Sequence, residues 1–135
     1  MMAKDSNNTT LEEFKKIFGW LKNSNCHYIG LIGGEPTLSP YFADILKYLN
    51  EEKRNYPLKI VIFTNGTNIE PYLSLIDSSY SFLININAPE YIGEDNGQRT
   101  LKNIELLSKR NEIDITFGIT LFPEIKNTDY ILKLA

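Results

Sequence analysis

The residues whose types and spacing could do chemistry are Gly33-Gly34-Glu35-Pro36, Thr64-Asn65-Gly66-Thr67, and the alternating pair Asn85 and Asn87. Each set follows directly on, or ends, a short apolar run. Two adjacent glycines let a backbone pass close to a ligand and adopt positive φ. Their carbonyls can accept hydrogen bonds, Glu35 adds a carboxylate, and Pro36 stiffens the turn by fixing φ. Acceptor carbonyls beside a carboxylate suit a cation such as the α-ammonium of an amino acid. A phosphate would call for free N–H groups and a Lys or Arg. Neither G-x-x-x-x-G-K nor G-x-G-x-x-G occurs. Gly-Gly-Glu-Pro alone could be a plain βα turn, and Asn-Gly is a generic turn. Together, one βα unit apart and each after an apolar run, they are more specific.

The elements that must position these residues follow a regular order. Leu11, Phe14, Ile17, Phe18 and Leu21 repeat at helical spacing, with Thr10 and Glu13 as a capping box. Residues 27–32 form an apolar run of strand type. Ser39-Pro40 reads as N-cap and first residue of a helix with Phe42, Ile45, Leu46 and Leu49 inside. Residues 58–63 are rich in β-branched types and read as a second strand. A short helix at 71–78, a third strand at 81–87 and a long loop at 88–98 follow. Arg99 opens a helix with Leu101, Ile104 and Leu107 inside. Residues 114–122 form a fourth strand, and 128–135 start another helix. Such alternation means parallel strands joined by crossovers. An open doubly wound sheet and a β/α barrel both fit. In either, chemistry collects at the carboxyl ends of the strands.

The run Tyr28-Ile-Gly-Leu-Ile-Gly-Gly-Glu-Pro-Thr-Leu-Ser-Pro40, followed by Ile62-Phe-Thr-Asn-Gly-Thr67, resembles the radical S-adenosylmethionine (radical SAM) enzymes. The resemblance continues through Phe82 to Asn87 and covers almost the whole chain. It implies an α/β fold of four consecutive parallel βα units, part of a (β/α)6 TIM-like barrel truncated at both ends. It implies S-adenosylmethionine and a [4Fe-4S] cluster as cofactors of the full-length protein. There, reductive cleavage yields a 5′-deoxyadenosyl radical that abstracts hydrogen from substrate. By resemblance, Gly33, Gly34 and Glu35, stiffened by Pro36, would hold the methionyl ammonium. Asn65 would shape its loop near the adenosine, and Asn85 and Asn87 occupy strand-end positions of polar cofactor contacts.

The chain departs from that family at the cluster. The family's C-x-x-x-C-x-x-C motif is missing, and the single Cys26 precedes a strand. Cys26 reads as an inert, half-buried thiol and His27 as structural. No catalytic and no metal-ligating residue is therefore assigned, and no cofactor is expected bound to this chain. The chain is expected to begin just past the cluster motif and to be inactive by itself. A short S-adenosylmethionine- or amino-acid-binding or regulatory module is the alternative. A flavodoxin-like or receiver-like domain ranks last, since its phosphate loop or acidic pair is missing.

Composition limits the partners. A chain of 135 residues predicts one domain, 1–135, and 42% hydrophobic residues suffice for a core. With 14 Lys+Arg against 17 Asp+Glu, the net charge of −3 gives no electrostatic footprint for nucleic acid. The basic pairs Lys53-Arg54 and Lys109-Arg110 fall where helices should end. No apolar run approaches the ~18 residues of a membrane span, and the polar N-terminus lacks a signal peptide's apolar core, so a cytoplasmic protein is expected. Arg99, Glu124, Trp20 and the eight tyrosines read as surface or packing residues. The substrate is not legible. A barrel missing strands leaves unpaired edges, so the chain is expected to form a homodimer through an edge or by exchanging an element. Sedimentation at high micromolar concentration checks this, and a clean monomer would contradict it.

Overall fold

The computed structural model describes residues 8–87, 92–120 and 129. Helix α1 (Leu11–Asn23) starts at the expected capping box. Thr10 Oγ1 accepts from the Glu13 N–H at 3.2 Å, and Glu13 Oε2 accepts from the Thr10 N–H at 2.8 Å. Phe18 is its buried anchor, edge-on to the rings of Tyr48 and Tyr56. The apolar repeat overstates the buried face. Ile17 is 51% and Trp20 69% exposed, so Trp20 does not pack the core.

Four strands follow: β1 (Tyr28–Leu31), β2 (Lys59–Thr64), β3 (Tyr80–Ile86) and β4 (Asp114–Ile119). All pair in parallel, in the order β1-β2-β3-β4. That order decides what periodicity left open. A doubly wound sheet reverses its strand order at a switch point. Here each strand lies beside its predecessor, as in a barrel.

The connections differ from the expected ones in instructive ways. After β1, Pro36–Leu38 forms a 3-10 turn, so helix α2 (Phe42–Glu52) begins at Tyr41 and not at Ser39-Pro40. Ser39 still contributes, its Oγ accepting from the Tyr41 N–H at 3.3 Å. Phe42, Ile45, Leu46 and Leu49 are all buried, as their spacing predicts. Between β2 and β3 the chain makes a 3-10 segment (Glu70–Leu75) with Pro71 near its start, instead of an α-helix over 71–78. Arg110 caps this segment, donating from Nη1 to the Leu73 carbonyl at 3.1 Å and from Nη2 to the Ile76 carbonyl at 2.7 Å. Helix α3 (Glu94–Ser108) starts five positions before Arg99. Gly93 at φ 80° turns the chain into it, and Glu94 and Asp95 suit the positive end of the helix dipole. Arg99 is thus an exposed residue inside a helix. Lys53 and Lys109 are the C-caps of α2 and α3, matching the expected helix ends. Residues 121–128 and 130–135, with Glu124 and most of the last expected helix, lie outside the described residues, as do 88–91 of the long loop.

The strands divide their side chains by parity. Ile60, Ile62 and Thr64 of β2, and Tyr80, Phe82, Ile84 and Ile86 of β3, are buried. This is the face toward α2, because Tyr80 donates its phenol to Asn50 Oδ1 of α2 at 2.7 Å. Burial, then the nearby Asp77 carboxylate, pushes that phenol above its ordinary pKa. The other parity (Val61, Phe63, Leu83, Asn85) lies on the opposite face, half-buried. Among the described residues no helix is long and apolar enough to cross a membrane.

Gly66 is where the fold needs glycine. Its φ is +81°, and a Cβ there would stand 3.0 Å from Ile84 Cγ2 and 3.1 Å from Thr100 Cγ2. Left-handed backbone and tight packing both oppose a side chain. Gly66→Ala should therefore destabilise the fold by about 2–4 kcal/mol. Urea denaturation measures it through the midpoint, at unchanged slope.

Candidate functional site

The turns after β1 and β2 meet at Glu35. Its Oε1 accepts from the Thr37 hydroxyl at 2.6 Å, the Thr37 N–H at 3.2 Å and the Thr64 hydroxyl at 2.7 Å. Its Oε2 accepts from the Asn65 N–H at 2.7 Å. Four donors from three residues converge on one carboxylate, and two of those residues lie beyond a whole βα unit. Bonds to a charged acceptor are about twice as strong as neutral ones. Glu35 is thus a clasp between strand ends. The free carboxylate expected beside the glycines is largely committed, with remaining lone-pair capacity on Oε2, which accepts a single bond.

The second turn is held equally by side chains. Asn65 Oδ1 accepts from the Thr67 N–H at 2.9 Å and the Thr67 hydroxyl at 2.7 Å, which closes the loop on itself. The Gly66 N–H donates to Thr64 Oγ1 at 3.1 Å. From α3, the Thr100 hydroxyl donates to the Asn65 carbonyl at 3.2 Å and Asn103 Nδ2 to the Gly66 carbonyl at 2.8 Å. The Thr37 carbonyl accepts from Asn68 Nδ2 at 2.9 Å and the Tyr72 phenol at 2.8 Å.

Gly33 and Gly34 behave differently from expectation. Neither adopts positive φ. Neither has any atom within 4 Å of where a Cβ would stand. Neither has a backbone hydrogen-bond partner among the described residues. They border a groove of about 680 Å3 that also reaches Glu35 and Pro36 and runs along β1 under Phe14 and Leu21. The turn therefore borders open space on the Cβ side of both glycines, and their backbone groups make no hydrogen bond among the described residues.

Asn85 and Asn87 follow the same parity at the end of β3. Asn85 lies level with Gly118 of β4 and pairs loosely with Thr120, at 3.3 Å from Nδ2 to the hydroxyl. Leu83 and Asn85 fill the space a side chain at Gly118 would take. Asn87 is half-buried. The structure thus brings Gly33, Gly34, Glu35, Pro36 and Asn65 into one connected cluster. Asn85 stands beside it on the next strand, in the register that follows from Thr64 opposite Ile84. Thr37, Thr100 and Asn103, and the bond from Thr64 to Glu35, are what sequence reasoning missed. Each of these residues is polar and between 1% and 5% exposed; the sequence signal for Thr64, Thr100 and Asn103 is their spacing in line with Ile60 and Ile62 or with Leu107.

The sequence profile of the radical SAM superfamily matches residues 2–134. The chain belongs to this superfamily. No curated protein sequence matches it. Among solved structures, an archaeal TYW1 crystal structure aligns with a TM-score of 0.60 at 15% identity, over 91% of this chain and 47% of that one. A structure of TYW1 with a lysine-pyruvate adduct bound aligns at 0.52 and 15% identity, over 93% of this chain and 58% of that one. These likenesses establish the radical SAM barrel architecture for the four parallel strands, and the chain spans about half the length of those structures. Full-length radical SAM proteins work with S-adenosylmethionine and a four-iron cluster.

The residues of this chain do not fit the cluster. Such clusters are held by cysteine thiolates, and the chain has one cysteine and one histidine. Cys26 lies at the amino end of β1, its thiol donating to the Tyr28 carbonyl at 3.2 Å. His27 stacks on Tyr56 at 4.6 Å and bonds the Pro57 carbonyl through Nδ1 at 2.9 Å. Among the described residues no three His, Cys, Asp or Glu side chains gather as metal ligands.

The clasp makes a direct prediction. Glu35→Ala strands the Thr37 and Asn65 N–H groups and two threonine hydroxyls, and should cost about 3 kcal/mol of stability. Glu35→Gln keeps one acceptor oxygen and should cost about half as much. Chemical denaturation of both variants checks the order. Equal, small losses would mean that water replaces the carboxylate.

Proposed function

We propose that this chain is the S-adenosylmethionine-binding core of a radical SAM protein and that, against the sequence expectation of no bound cofactor, it binds S-adenosylmethionine by itself without cleaving it. The observation that carries the reading is the open Gly33–Gly34 turn. These glycines are required neither by backbone conformation nor by packing, yet they sit at a strand end against an open groove. A ligand ammonium fits such unbonded carbonyls, with the spare capacity of Glu35 Oε2 next to them. Pro36 fixes the turn's exit, and Asn65, Asn85 and Asn87 supply polar edges for the rest of the molecule. Reductive cleavage needs thiolate ligands from outside the residues of this chain. The substrate on which the whole protein acts is chosen elsewhere. The shortage of thiolates also favours a second reading, in which the chain is a binding or regulatory module for S-adenosylmethionine or methionine with no redox step.

Isothermal calorimetry of the chain with S-adenosylmethionine and with methionine tests the binding reading. Saturable heat is expected for S-adenosylmethionine. Gly34→Val should weaken that binding at least roughly tenfold, because it fills the cradle. It should change stability by less than about 1 kcal/mol, since its side chain meets open space. Absence of heat at millimolar ligand, or a valine variant that binds as well as the parent, would defeat the reading.

A further inference from the structure

The peptide groups of Asn65 and Gly66 lie just past the end of the β2 ladder, and their four hydrogen bonds all go to side chains. Glu35 takes the Asn65 N–H, Thr64 the Gly66 N–H, Thr100 serves the Asn65 carbonyl, and Asn103 serves the Gly66 carbonyl. Thr100 and Asn103 stand one turn apart on the inward face of α3, 5% and 4% exposed. Leu107 continues that face at 0% exposed, while Leu101 is turned out at 39%. An amide and a hydroxyl thus occupy places where a helix ordinarily packs apolar side chains. A buried polar group is retained only where its hydrogen bond is made.

We propose that Asn103, assisted by Thr100, is a positioning residue for the ligand turn. Asn103 fixes the Gly66 carbonyl and Thr100 the Asn65 carbonyl, so the two peptide planes that follow Asn65 are held from behind, and with them the backbone that presents the Asn65 N–H to Glu35 Oε2. That bond sets the rotation of the Glu35 carboxylate. Glu35 follows Gly34 directly in the chain, so helix α3 acts through this carboxylate on the shape of a turn on the far side of β2. Gly66 supports the same path, because its lack of Cβ lets Thr100 and Ile84 close on the turn at contact distance. The inference rests on the reading of the Gly33–Glu35 turn as an S-adenosylmethionine site.

The test compares the chain with Asn103→Leu, which keeps the buried volume, and Thr100→Val, which keeps the shape. Amide hydrogen exchange by NMR follows Asn65 and Gly66, with Ile62 and Ile84 in the strand ladder as references. Calorimetry with S-adenosylmethionine follows the site. In Asn103→Leu the Asn65 amide should exchange roughly tenfold faster or more relative to Ile62 and Ile84, and affinity should fall by roughly the same factor. Thr100→Val should do both to a smaller degree. A merely structural role would lower the melting temperature and speed all four amides together, leaving the affinity of the folded variant unchanged, and that result overturns the proposal. Unchanged protection of Asn65 overturns it as well. If the parent chain gives no heat with S-adenosylmethionine, the binding reading fails, and exchange at Asn65 still decides whether α3 orients the turn.

Discussion

The carboxylate of Glu35 is the constraint on which the strand-end region depends. Parallel strands are held by evenly spaced ladder bonds only while they run side by side. Past Leu31 and Thr64 the two chains diverge into turns, and no ladder reaches there. Glu35 supplies an acceptor that both turns can share, across 29 residues to Thr64 and 30 to Asn65. Being charged, it holds neutral donors more strongly than a carbonyl would. Everything nearby is arranged around it. Thr37 fixes its near side, Thr64 and Asn65 its far side, and Thr37's own carbonyl is pinned by Asn68 and Tyr72.

Two kinds of glycine serve this region, and they separate folding from function. Gly66 is dictated by the fold, through its positive φ and its contacts with Ile84 and Thr100. Gly33 and Gly34 are not dictated by either. A residue type that conformation and packing leave free, placed where chemistry gathers in β/α architectures, points to something outside the chain that requires it. The flexibility that glycine confers costs unfolded-state entropy. An open turn with two of them is therefore stabilised only when a ligand, or the clasp beside it, restrains it.

Much of the fold was legible. The Thr10–Glu13 capping box, the inner stripe of α2 and the four strands obey local rules that act within one turn or one pleat. The strand order was legible only through the family resemblance, because periodicity reports which face is apolar and says nothing of which strand lies beside which. Helix starts were misplaced wherever a glycine or proline acted differently from its commonest use. Gly93 starts α3, and Pro36 opens a 3-10 turn ahead of α2. Gly33, Gly34, Glu35, Pro36 and Asn65, which the structure brings together, were named from the sequence. The use of Glu35 was not, because the donors that occupy it come from a strand 29 positions away.

Three of the buried polar residues share one physical property. Thr64 follows Ile60 and Ile62 on the buried parity of β2, and Thr100 and Asn103 precede Leu107 on the buried face of α3. At each place an apolar side chain would add burial, and a polar one adds a desolvation cost that its hydrogen bond must offset. Such exchanges are close to neutral for stability when both partners are satisfied. Their retention here is then best understood by where the bonds point. All three point at the backbone or carboxylate of the same two turns. Among the described residues, burial of polar side chains is thus concentrated behind the Gly33–Glu35 turn, the arrangement expected when a scaffold holds a loop in shape and leaves its outer side unfilled.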